Sequence, residues 1–154
     1  MPGSGDGFSK TTAHTLARRV NYHCSNPDCR RGTAGPRTDP ARAVSIGQAA
    51  HITAAAPGGP RYDPSLTARQ RSHPDNGIWL CANCHKLVDS DPERYTVELL
   101  RAWKAQAEEA ARQEVERRAP GPPEPAAPVL STPFNLPGDL ADFTGRQADI
   151  DRVR

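Results

Sequence analysis

The sequence predicts a small α+β domain closed by a metal ion, on three observations. The chain's cysteines fall in two close pairs, Cys24-x4-Cys29 and Cys81-x2-Cys84. Two short runs of strand character, one ending near His51 and one at Ile78-Trp79-Leu80, precede a run of helical character from Ala82. The available core is poor: 154 residues hold 16 prolines and 12 glycines but only two tryptophans, three tyrosines and three phenylalanines. A core of that size needs a staple, either disulfides or a metal.

Residues 1–8 are small, polar and glycine-rich and read as disordered. Ser9 caps a helix through about Arg19, with Leu16 and Val20 at helical spacing. Cys24 and Cys29 then enclose an Asn-Pro turn, a knuckle that aims both sulfurs at one point. Residues 30–42 are rich in arginine, glycine and proline and read as a loop. Val44 to Thr53 carries β-branched residues and reads as a strand with His51 near its end. Ala54 to Asp75 is a long irregular segment, of a length that is often functional. Ile78-Trp79-Leu80 makes a second strand, and Ala82 to about Ser90 a helix with Cys84, Leu87 and Val88 inward. Asp91 and Pro92 break it. Thr96 caps a long helix to about Arg118, with Glu98 in its first turn complementing the dipole. Its apolar stripe is Leu100, Trp103, Ala107 and Ala110; beyond Trp103 its alanine and charge suggest a helix extending into solvent or meeting a partner. The domain therefore spans 9–118. A stiff, proline-rich linker covers 119–133, and a patterned tail runs over 134–154.

Four thiolates in two short knuckles match a tetrahedral structural zinc site at Cys24, Cys29, Cys81 and Cys84. The N-terminus has no apolar run, so neither a signal peptide nor a membrane span is expected, and the protein reads as cytoplasmic. Cysteines there stay reduced, which favours metal over disulfide. The net charge of +2 says little, but between Arg18 and Arg71 arginines far outnumber the acids Asp28, Asp39 and Asp63. Clustered guanidinium suits phosphate.

His51, Asn76 and His85, set among these knuckles, resemble the HNH endonuclease family. The resemblance runs over roughly residues 18–105 and rests on Ala49-Ala50-His51-Ile52, on NGIWLCANCHKLVD from Asn76 to Asp89, and on the trailing Tyr95, Leu99, Leu100, Trp103 and Lys104. It implies a ββα-metal finger and metal-dependent hydrolysis of DNA phosphodiesters. His51, which titrates near neutrality, suits the general base. The resemblance assigns His85 to a catalytic divalent ion (magnesium first, manganese or nickel as alternatives) and gives Asn76 the task of orienting His51 or pinning the long loop. Arg61 and Arg71 are candidates to hold substrate phosphates.

One position departs from the family pattern. Many members carry a metal-binding acid or histidine immediately before the base, and here that residue is Ala50. Other members of the AAHI branch share the alanine. Asp89, four residues after His85 on the same helix, is the candidate replacement ligand, with His73 as a second. The alternative reading is a catalytically inactive, zinc-stabilised module for DNA binding or interaction. The tail, FNLPGDLADFTGRQADIDRVR, resembles the lead-in to STAND (NB-ARC) nucleotide-binding domains. It implies the effector piece of a larger sensor in antiviral defence, with a homo-oligomer through the C-terminal region as its assembly.

Overall fold

The computed structural model describes residues 7–117 and Gly121; the linker and tail expectations lie outside these residues, as does the lead before Gly7. Helix α1 (Lys10–Arg19) leads to strands β1 (Ala34–Pro36), β2 (Ala43–Ser45) and β3 (Gly47–His51). A short helix α2 (Ala68–Arg71) and a 3-10 turn (Pro74–Asn76) precede β4 (Gly77–Cys81), α3 (Ala82–Ser90) and the long α4 (Val97–Glu116). The helix starts obey their capping residues. Ser9 accepts the N–H of Thr12 at 3.0 Å, and Thr96 accepts that of Leu99 at 3.2 Å.

Strands β3 and β4 pair antiparallel, with His51 opposite Gly77, Ala50 opposite Ile78 and Gly47 opposite Cys81. Every residue of β4 is buried, because the hairpin is covered on both faces. One face carries Ala50, Ile78 and Leu80 into a cluster with Val88, Tyr95, Leu100 and Trp103 from α3 and α4. The other carries Trp79 against Leu16, Ala17 and Val20 of α1 and Ala107 of α4. Two glycines permit the close approach. A Cβ at Gly47 would lie 2.3 Å from the Trp79 indole, and one at Gly77 would lie 2.4 Å from Leu16.

Several expectations change. The segment 30–42 is not a plain loop, because Ala34–Pro36 pairs with Ala43–Ser45 as an antiparallel ribbon. The single strand expected from Val44 to Thr53 is cut in two: β2 belongs to the ribbon and β3 to the buried hairpin, with the switch at Ile46. The long segment before Asn76 contains α2, closed by a capping box between Thr67 and Gln70. Leu87 is 45% exposed rather than inward, since α3 presents only Cys84 and Val88 as buried residues. Ala110 is exposed too. The second half of α4 does not simply leave for solvent. It returns over α1, where Arg19 forks onto Glu108 at 2.9 and 2.8 Å and Asn21 reaches Glu114. Lys104 ties the same helix to the start of β4, donating to the carbonyls of Pro74 and Gly77 at 3.2 and 2.8 Å. Among the described residues no helix is long and apolar enough to cross a membrane.

The Arg19 bonds, aided by Lys104 at 3.2 Å, hold the Glu108 carboxyl below its ordinary value, against an opposing effect of burial. Glu108→Gln should therefore cost about 1 kcal/mol at neutral pH, a modest figure because Arg19 is half in solvent. The folded-state value is lowered, so this contribution is full above the unfolded value and fades as pH falls through the folded one. Urea melts of both proteins at pH 7 and pH 3 should show the gap narrowing in acid.

Candidate metal centre and catalytic cleft

The four cysteine sulfurs meet although their two knuckles are far apart in sequence. Cys24 leaves the turn after α1 and Cys29 closes the turn around Asn26, whose side chain caps Asp28 and whose carbonyl accepts from Cys29. Cys81 ends β4 and is itself the N-cap of α3, its sulfur 3.5 Å from the N–H of Cys84. All four sulfurs lie within 4.8 Å of one another, Cys29 and Cys81 at 3.9 Å, and all four thiols are free. A tetrahedral zinc with bonds near 2.3 Å requires sulfurs roughly 3.8 Å apart, so the set fits. Burial pushes the Cys24 and Cys84 thiols up, whereas at Cys81 burial is outweighed by bonds from the Cys84 N–H and neighbouring thiols. Buried thiolates packed this closely need a cation among them.

Beside this cluster, His51 at the end of β3 and His85 and Asp89 on α3 line one cleft of about 360 Å³, walled by Ala54 to Pro57 and Gly59-Pro60. His85 and Asp89 share a helix face as their spacing predicts, with Nε2 3.1 Å from Oδ2. The other ring nitrogen of His85, Nδ1, meets the side-chain oxygen of Gln48 on β3. At Asp89 burial would raise the carboxyl, but His85 and Arg61 together hold it below the ordinary value. Ala50 is fully buried in the larger apolar cluster, so its place in the strand serves packing.

The Arg61 expectation is corrected. Its side chain is only 4% exposed, and its nitrogens donate to the carbonyls of His51, Ile52, Val88 and Tyr95 and to Asp89 Oδ1. A guanidinium spent on five protein oxygens braces the cleft rather than receiving phosphate. These bonds also offset the left-handed backbone of Arg61, at φ 56°. Arg71 lies with Tyr62, its Nη2 3.1 Å from the hydroxyl and its guanidinium over the ring.

Asn76 is buried and does not line the cleft of His51 and His85 but a separate depression. Its side chain accepts from the N–H and hydroxyl of Thr53 and donates to the carbonyls of Thr53 and Arg71, each at 2.5 to 3.0 Å. It thus closes both ends of the long segment onto itself. His73 lines the same depression as Asn76, away from the cleft of His51 and His85, and pairs with Asp75. Two residues near the histidines went unnoticed in the sequence. Gln48 gave no signal, because one glutamine on a short strand is unremarkable. Phe8 lies in a lead whose composition reads as disordered, yet its ring stacks on His51 at 3.9 Å between centroids and 11° between planes.

The family model described as HNH endonuclease matches residues 24–91, the stretch from the first zinc-type cysteine to the residue after α3. These residues form an HNH endonuclease domain, and that family implies a nuclease acting on DNA. No curated protein matches the chain.

If the four cysteines hold zinc, metal-binding energy is folding energy here. The purified chain should carry one zinc, and its removal by a strong chelator should lower the melting temperature by well over about 10 °C. Elemental analysis paired with thermal melts checks this; an unchanged melt after verified zinc loss would contradict it.

Proposed function

We propose that this HNH endonuclease domain hydrolyses DNA phosphodiester bonds, with His51 as the general base. The observation that carries the reading is the convergence of His51, His85 and Asp89 on one cleft beside the four cysteines. His51 would take a proton from the attacking water, whose oxygen then bonds to phosphorus as the bond to the leaving oxygen breaks. A divalent ion held by His85 and Asp89, magnesium before manganese or nickel, would supply Lewis-acid neutralisation of the phosphate and the leaving oxygen.

The donor set favours a cation at that position. The Gln48 oxygen accepts from Nδ1–H of His85, which turns the Nε2 side toward the Asp89 carboxylate. A lone pair facing a carboxylate at that distance is stable only with a proton or a metal ion between them. Asp89 thereby answers the absence of a ligand at Ala50. Asn76 pins the segment around the cleft, and Arg61 fixes the end of β3 against α3. Zinc-ligating Cys84 immediately before His85 sets that histidine's backbone. The likeness of the 134–154 tail to a STAND lead-in supports a setting in a larger defence sensor, where oligomerisation would bring catalytic copies together. The rival reading, an inactive zinc-stabilised DNA-binding module, is favoured by Ala50 alone.

Supercoiled-plasmid nicking by the wild type and His51→Ala, with magnesium, manganese and nickel in turn, tests this. Wild type should nick, and His51→Ala should be slower by about 100-fold or more. Cleavage by neither protein, with DNA binding intact, would leave the inactive module. The Phe8 ring holds the face of His51, so Phe8→Ala should lower kcat several-fold with KM little changed, and Phe8→Tyr should restore it. Equal kcat in all three would remove Phe8 from the site.

A further inference from the structure

The ribbon of β1 and β2 has no evident use inside the fold. From Ala34 to Ile46 every residue is exposed except the half-buried Gly35. Strands of three residues that bury nothing contribute little stability, so the composition of this ribbon answers to something outside it. Its paired residues are Ala34 with Ser45, Gly35 with Val44 and Pro36 with Ala43, all small but one. That keeps it thin. Its long polar side chains are arginines: Arg31 at the base, and Arg37 and Arg42 flanking the tip. Asp39 is its sole acid, and it caps its own turn at Ala41 while lying 3.7 Å from Arg42. Among the described residues Arg31 and Arg37 make no ion pair. Val44 and Ile46, each 46% exposed, add an apolar strip.

The base of the ribbon is fixed rigidly. Cys24 donates to the Arg31 carbonyl, Thr33 donates to Tyr22, and Trp79 donates from its indole to the Thr33 hydroxyl. Ile46 bonds Thr33 on one side and the N–H of Ala82, the first residue of α3, on the other. The chain then runs directly into β3, which carries Gln48 and His51.

We propose that this ribbon is a duplex-DNA-binding arm that lies in the major groove beside the cut site. The proposal rests on the nuclease reading above and adds where the substrate is gripped. A thin two-stranded ribbon fits the major groove, arginine forks suit phosphates and guanine edges, and exposed apolar carbons suit thymine methyl groups. Arg42 and His51 are nine positions apart, a reach of at most about 30 Å in extended chain. That is close to one turn of duplex, about 34 Å. The arm should therefore grip the duplex to one side of the cut and within a turn of it.

The test uses the full zinc-loaded chain, in magnesium-free buffer, and a fluorescent 30-base-pair duplex. Arg31→Ala, Arg37→Ala and Arg42→Ala are combined, with Arg112→Ala on α4 as the control. The triple variant should bind about tenfold more weakly or worse, with a salt slope shallower by about 0.9 for each phosphate the arm no longer neutralises. Its melting temperature should match wild type, and Arg112→Ala should bind as wild type. Hydroxyl-radical protection should extend on one side of the cut and vanish in the triple variant. Unchanged affinity and salt slope in the triple variant would overturn the arm, while plasmid nicking by wild type would still uphold the nuclease reading. Tighter binding of single-stranded DNA or RNA than of duplex would overturn the assignment of the partner.

Discussion

Four thiols meeting at one point are the constraint on which the rest of the domain depends. They join the turn after α1 to the junction of β4 and α3, segments more than fifty residues apart, and so fix the Cys81 end of the domain's central hairpin. Cys81 serves this twice, as a member of the cluster and as the cap that starts α3. The apolar clusters alone are small, and a chain this rich in proline and glycine has few large side chains to enlarge them. A metal among the sulfurs stabilises what burial cannot.

Rigidity reaches the cleft through two buried polar side chains rather than through apolar packing. Asn76 gathers Thr53 and Arg71, and Arg61 gathers the end of β3, the end of α3 and the approach to α4. Each satisfies backbone groups that a long segment would otherwise leave unpaired in the interior. The start of the segment, Ala54 to Pro60, can therefore wall a cleft without regular structure of its own. The two histidines stand at element ends, His51 on the last residue of β3 and His85 in the first turn of α3, where rigid backbone meets open space.

The two faces of the hairpin divide the work. The face toward α3 and α4 holds the larger core and the Gln48 contact to His85. The face toward α1 holds Trp79 and, past Gly77, the N-terminal Phe8 on His51. The ribbon is tied to the fold at its base, and its arginines are exposed.

Local chemistry made much of this legible in advance. The cysteine spacings announced the cluster. Ser9 and Thr96 announced helix starts, Ile78 to Leu80 announced a strand, and the His85–Asp89 spacing announced a shared helical face. Each is a short-range rule that one stretch of chain obeys by itself. What escaped depends on distant neighbours. The side chain of Arg61 reads as a phosphate ligand, yet four carbonyls from the end of β3, α3 and the approach to α4 surround it. Leu87 fitted the inward stripe of α3 until the packing of that helix left its side uncovered. Phe8 sat in a lead without pattern, yet the histidine it stacks on lies forty-three residues away. The switch at Ile46 between ribbon and hairpin leaves no mark in a run of strand-forming residues. The sequence by itself determined the three longer helices, the strand at Ile78 to Leu80 and the residues that can bind metal, because those are matters of spacing. Only the tertiary structure decided which polar groups are spent on the fold and which remain for a substrate, because that is fixed by who lies opposite whom.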